Sequence, residues 1–178
     1  ERERESMEVN TSSAPRHSSS RKRRESSHHR SSRRTRNEIP HGVTPSDFDF
    51  LETIGVGTFG VVKLSRLRST GRFYAVKIMN KRRLMQMRQC EHIRSEREVM
   101  RNVTHSFIVH LHATFQDASS LYMVSEFVPG GELFCHLRRA GRLPVEVAKF
   151  YAAELILTLG YLHSQSIVYR DLKPENLL

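Results

Sequence analysis

The stretch Gly55-Val56-Gly57-Thr58-Phe59-Gly60 constrains the fold more than any other, because the residues after its last glycine decide what three closely spaced glycines are for. In dinucleotide-binding folds a G-x-G-x-x-G run opens a helix, and alone it discriminates weakly. Here it continues into Val61-Val62-Lys63-Leu64, which is strand-forming, and then into the turn Ser69-Thr70-Gly71. That order predicts a β-hairpin entered through Phe48, Phe50 and Glu52 to Ile54, with the glycines at its tip. Missing side chains at a hairpin tip let backbone N–H groups approach phosphates, and a purely structural glycine turn satisfies the same pattern.

Arg72 to Met79 reads as the next strand. Alternation places Phe73, Ala75 and Lys77 on one face and Tyr74, Val76 and Ile78 on the other. Ala75 leaves room for a flat ring, and Lys77 beside it has the reach to meet phosphate oxygens. Flanked by apolar residues, Lys77 is expected to be partly buried and paired. Its partner comes from helical geometry. At about 100° per residue, Ile93, Glu96, Val99, Met100 and Val103 share one stripe of a helix over Glu91 to Val103, with Glu96 in the middle. A carboxylate there meets a cation or is costly, and Lys77 is the natural cation.

Ile108 to Phe127 reads as two strands joined by Asp117-Ala118-Ser119-Ser120. Pro129-Gly130-Gly131 then interrupts the pattern, as a hinge between a strand-rich and a helix-rich half would, and Glu132 opens a short helix over Leu133 to Arg138. His110 and His112 alternate onto one strand face and permit a metal pair, but no third ligand stands out. Val145 to Ser164 reads as a helix that is apolar around Ala148, Tyr151, Ala152, Leu155, Leu159 and Leu162, with Phe150 and Ile156 beyond that face. Such a helix wants neighbours on several sides, and exposure of four or five large side chains would forgo on the order of 6–15 kcal/mol. Aggregation or partial folding is therefore expected of the chain by itself.

Near the end stands Tyr169-Arg170-Asp171-Leu172-Lys173-Pro174-Glu175-Asn176, where Pro174 prevents a regular helix. An Asp to orient a hydroxyl, a Lys to neutralise a transferring phosphate and an Asn to hold Mg²⁺ form a phosphoryl-transfer constellation.

The remaining sequence bounds the setting. From Glu1 to about Gly42 the chain is rich in Ser, Arg, Glu and His, with only Met7, Val9, Ala14 and Ile39 able to join a core, so disorder is expected. Roughly 130 residues are left to fold, enough for a sizeable core. The net charge of +10 draws much of its excess from Arg21-Lys22-Arg23-Arg24 and Arg33-Arg34-Thr35-Arg36. These runs read as a solvated basic tail, with nuclear import or nucleic-acid binding as the alternatives. Cys90 and Cys135 show no metal or disulfide spacing, which fits a reducing, cytoplasmic setting. No run of about 18 apolar residues suggests a membrane span.

With these motifs in order, the chain resembles the eukaryotic Ser/Thr protein kinases. From Phe48 to Leu178 it is similar to the cAMP-dependent kinase catalytic subunits and their close relatives, most closely in Tyr122-Met123-Val124, Val128 to Glu132, His136 to Arg139 and Tyr169 to Leu178. The resemblance implies ATP under glycines 55, 57 and 60, with Ile54, Val62 and Ala75 lining the adenine pocket. It further implies Lys77 on the α- and β-phosphates and paired with Glu96, hinge backbone groups from Glu126 and Val128, and Glu132 at the ribose. Asp171 would be the catalytic base, Lys173 would steady the γ-phosphate, and Asn176 would bind Mg²⁺. Glu132 and Glu175 match carboxylates that read arginines ahead of the acceptor, so the implied partners are protein substrates of the Arg-Arg-x-Ser kind and a cAMP-binding regulatory subunit. Arg23-Arg24-Glu25-Ser26 fits that preference and makes Ser26 a candidate autophosphorylation site. Ser125 departs from close relatives, which usually carry a bulky Met there.

The expected fold class is α+β and kinase-like: a small lobe of antiparallel sheet plus one main helix, then the first helices of a helical large lobe. The expected divisions are a basic tail over 1–43, a small lobe and hinge over 44–128, and the start of a large lobe over 129–178. No Asp-Phe-Gly stands after Asn176 within the 178 residues. Read as a finished protein, the chain is expected to be an inactive fragment that binds nucleotide weakly or serves as an interaction module.

Overall fold

The computed structural model describes residues 39–178. The two arginine runs, the expected disorder of the tail and the Ser26 reading lie outside the described residues. Five strands form one antiparallel sheet: β1 (Phe48–Gly57), β2 (Gly60–Leu67), β3 (Phe73–Asn80), β4 (Leu111–Gln116) and β5 (Ser120–Glu126), in the order β1-β2-β3-β5-β4. Four helices accompany them: α1 (Lys81–Gln86), α2 (Cys90–Asn102), α3 (Leu133–Ala140) and α4 (Val145–Ser164). This is the expected α+β arrangement of an antiparallel sheet with helices.

Alternation along β3 divides the core in two. Tyr74 and Val76 join Phe48, Leu67, Tyr122 and Val124 on one face, while Met79 joins Leu84, Ile93, Leu111 and Met123 on the other. Val43 is buried in the first cluster and Ile39 packs against it, so apolar residues counted with the tail already belong to the sheet's core. Helix α1 has no counterpart among the elements expected from the sequence. Its residues, Lys-Arg-Arg-Leu-Met-Gln, form no amphipathic stripe, only the buried anchor Leu84 and a cap in which Asn80 Oδ1 accepts from the Arg83 N–H at 3.0 Å.

Helix α2 leans on the sheet through Ile93 and Met100. Val99, expected on the same stripe, is instead 38% exposed, because only part of that stripe lies over the sheet. The first strand of the 108–127 segment starts only at Leu111, after a turn in which the Ile108 N–H reaches the His105 carbonyl. Helix α4 has the expected span, and of its residues only Leu162 is buried. It is tied to the sheet-side segment by Tyr161, whose hydroxyl accepts the Thr104 N–H at 3.0 Å and whose ring stacks on His105 at 5.0 Å. No helix of the described residues is long and apolar enough to cross a membrane.

Candidate active site

The glycine hairpin closes with Gly55 opposite Val62, Val56 opposite Val61 and Gly57 opposite Gly60. Gly60 in turn lies opposite Met79 on β3. Directly opposed residues share a face of the sheet. The pairs Val62 with Lys77, Lys77 with Met123 and Ala75 with Ser125 therefore gather Val62, Ala75, Lys77 and Ser125 into one patch on the α2 side. Ile54, just before the first glycine, is 42% exposed and free to flank a ligand.

Across this patch Lys77 Nζ donates to Glu96 Oε1 at 2.7 Å. The two side chains are 36% and 33% exposed, so the pair is neither fully screened nor fully desolvated. Strand β3 supplies the ammonium and the middle of α2 supplies the carboxylate, in agreement with the helical stripe. A cation held in this way, on the strand beside a glycine hairpin, can meet an anionic ligand without searching for its position.

At the end of β5 the Glu126 N–H is taken up by the His110 carbonyl at 2.9 Å, and the Val128 carbonyl receives the Gly131 N–H at 3.4 Å. Gly131 adopts φ +74°, a left-handed conformation that favours glycine. Glu132 sits at the N-cap of α3 but makes no side-chain cap bond, which leaves its carboxylate for other work.

A second cluster lies in the loop after α4. Lys173 Nζ is 3.0 Å from Asp171 Oδ2, and Asn176 Nδ2 donates to both the carbonyl and the Oδ2 of Asp171 at 2.9 Å. Pro174 starts a single 3₁₀ turn, Pro174–Asn176, and the Leu133 N–H donates to the Leu177 carbonyl at 2.7 Å, fastening the loop to α3. The bond from Lys173, then that from Asn176, hold the Asp171 carboxyl below the usual range, while Asp171 raises Lys173. Burial, then the Asp171 charge, push the Tyr169 phenol up. At neutral pH the loop therefore presents a carboxylate acceptor and a cation side by side. Both bonds from Asn176 use its nitrogen, so its Oδ1 remains a hard oxygen donor of the kind Mg²⁺ prefers. The donor set fits an ion that completes its shell with phosphate oxygens and water; among the described residues no group of three His, Cys, Asp or Glu could cage a metal.

A hollow of about 520 Å³ that sequence reasoning missed lies against α1 and α2, walled by Met79, Leu84, Ile93, Phe115, Tyr122 and Met123. Neither Lys77 nor Glu96 lines it. Reactive groups, not concavity, locate the candidate site. The only sequence signal for the hollow is apolar periodicity, which marks core just as well.

The protein kinase domain model matches residues 48–178. The chain is 53% identical over 135 residues to a cAMP-dependent protein kinase catalytic subunit of Arthrobotrys oligospora, covering 76% of this chain and 26% of the relative. It is 53% identical over 140 residues to the serine/threonine-protein kinase Sgk3 of Rattus norvegicus, covering 78% and 28% respectively. To protein kinase 3 of Dictyostelium discoideum it is 50% identical over 136 residues, covering 76% of this chain and 15% of the relative. The chain thus spans a third or less of the length of these curated relatives.

Proposed function

Because the chain belongs to the protein kinase family, we propose that it supplies the nucleotide site and catalytic loop of an ATP- and Mg²⁺-dependent Ser/Thr kinase of the cAMP-dependent type. The observation that carries this reading is the Lys77–Glu96 contact at 2.7 Å, on the face shared with Val62 and Ala75 and next to the glycine hairpin.

In this reading the N–H groups around Gly55, Gly57 and Gly60 cover the phosphates. Lys77 holds the α- and β-phosphates, while Ile54, Val62 and Ala75 sandwich the base. The backbone of Glu126 and Val128 meets the base edge, and Glu132 the ribose. Asp171 accepts the proton of the acceptor hydroxyl, and Lys173 stays protonated to balance the γ-phosphate as it transfers. Asn176 would hold Mg²⁺ through Oδ1, and the ion would supply positive charge to the phosphate oxygens. Glu132 and Glu175 select arginines ahead of the acceptor Ser or Thr, and a cAMP-binding regulatory subunit is the partner class.

Titration of the chain with a fluorescent ATP analogue and Mg²⁺ tests the nucleotide site. Lys77→Met is expected to weaken binding about tenfold or more, equivalent to about 1.4 kcal/mol. Equal affinity of variant and wild type would remove the basis of the assignment. Phosphate transfer to Arg-Arg-x-Ser but not Ala-Ala-x-Ser peptides by a full-length kinase that contains this segment tests the substrate class.

A further inference from the structure

An aromatic cluster that the nucleotide reading does not use lies behind the end of β5. The pairing of β4 with β5 runs Leu111 with Ser125 and then Ala113 with Val124, so one extra residue, His112, is accommodated as a bulge. The bulge sets the His112 ring against His110, with centroids 4.7 Å apart at 84°, and against Tyr74 at 5.2 Å and 80°. Tyr74 is buried and lies opposite Glu126, whereas His112 keeps an exposed side. His110 also provides the carbonyl that receives the Glu126 N–H at 2.9 Å. The segment that carries the ring cluster therefore also holds the Glu126 amide shortly before the Pro-Gly-Gly break.

The charges near His112 come from three directions: His110 on its own segment, Glu126 at the end of β5, and Arg72 just before β3, with the Tyr74 phenol packed against the ring. Burial first and then His110 hold its pKa below the usual histidine value; Glu126 opposes this and Arg72 adds to it. An imidazolium at this position would stand beside a second imidazole and a guanidinium with a single carboxylate to offset them. The packed arrangement therefore takes up a proton less readily than a loosened one, so acid favours loosening. Stabilisation by the ring cluster is complete above the ordinary histidine range and declines as the pH falls below about 6.5.

We propose that His110, His112 and Tyr74 form an acid-sensitive clasp on the hinge strand: with His112 neutral the edge-to-face ring contacts seat the β4 bulge on β5, and protonation of His112 releases the bulge and loosens the hydrogen bond between the His110 carbonyl and the Glu126 amide. Only its consequence for ATP, a weaker grip on adenine in acid, rests on the proposed nucleotide site.

Amide hydrogen exchange of the full chain tests the clasp without any nucleotide. After correction for intrinsic exchange, protection of the Glu126 N–H is expected to fall several-fold between about pH 7.5 and about pH 5.5, while Val124 in the same strand keeps its protection. His112→Phe keeps a ring but cannot titrate, so its Glu126 protection should not change with pH. His112→Gln loses the ring and should show lower protection at both pH values, again without pH dependence. The proposal is overturned if wild-type protection at Glu126 is the same at both pH values, if Val124 loses protection equally, or if the acid effect persists in His112→Phe.

Discussion

Replacing single glycines of the hairpin should separate two physical roles that the sequence motif merges. A Cβ added at Gly60 would fall inside the van der Waals envelope of the Ile78 carbonyl oxygen, 2.8 Å from its carbon and 3.0 Å from the Met79 Cα. These are backbone atoms, and β3 cannot back away, because Met79 is fully buried among Leu84, Ile93, Leu111 and Met123. Overpacking a well-packed site costs about 1–3 kcal/mol. With no flexible side chain to yield, Gly60→Ala should sit at the top of that range and lower the melting temperature by roughly 10 °C. At Gly57 the nearest atom to an added Cβ is the Gly60 carbonyl oxygen at 3.9 Å, an ordinary contact. Gly57→Ala should therefore leave stability within about 1 kcal/mol of wild type, with a small gain from a less flexible unfolded chain. If the hairpin tip lies over phosphates, the same substitution should weaken binding of the ATP analogue about tenfold, or 1.4 kcal/mol. Thermal melts and binding titrations of both variants provide the comparison. A Gly60→Ala protein that melts with wild type would refute the steric role, and a Gly57→Ala protein with full affinity would refute the phosphate role.

Other parts of the structure lead to four more expected outcomes. A double-mutant cycle of Lys77→Met and Glu96→Gln in urea denaturation should give a coupling of about 1–2 kcal/mol, between exposed and buried pairs because each side chain is about one-third exposed; additive effects would mean that the contact contributes nothing. The Asp117 carboxyl is held down to about 2, first by the Tyr122 hydroxyl and then by the Ser119 and Ser120 amides. Its stabilising contribution is thus present above the ordinary Asp range and lost as the pH falls through about 2, and Tyr122→Phe should raise the midpoint seen by carboxyl NMR. Ser125 lies directly across from Ala75, so bulky ATP-competitive inhibitors should bind wild type better than Ser125→Met, and equal binding would show that no space opens there. On α4, Phe150, Ile156 and Leu157 are 61%, 69% and 61% exposed, so changing them to Lys should reduce self-association in light scattering, while unchanged association would place the sticky surface elsewhere.

Long periodic segments are legible in the sequence, and features that interrupt a period are not. The two faces of β3 and the span of α4 come from alternation and helical spacing because each repeats several times. Glu96 is visible because a charge at the centre of an apolar stripe is an inconsistency that demands a partner. The bulge at His112 leaves no trace, since one extra residue in a half-buried strand looks like more alternation. Helix α1 is hidden by its length of six residues, with one buried anchor and a cap that could equally begin a turn. Val99 shows the opposite failure, a clear apolar stripe of which the sheet covers only part. Composition places Ile39 and Val43 in a polar tail, but each contributes to packing through a single side chain, which averaging over neighbours conceals. In the loop after α4 the residue types point to phosphate chemistry, but that Asn176 spends its nitrogen on Asp171 and leaves its oxygen out of that contact emerges only in the fold.

One backbone bond gives α3 an influence beyond its own position. Because the Leu133 amide grips the Leu177 carbonyl at 2.7 Å, the first turn of α3 and the far end of the Asp171 loop shift together. Anything that tugs on the carboxylate of Glu132 pulls through two residues and one hydrogen bond on Asn176, so the two side chains sit at the ends of a single lever.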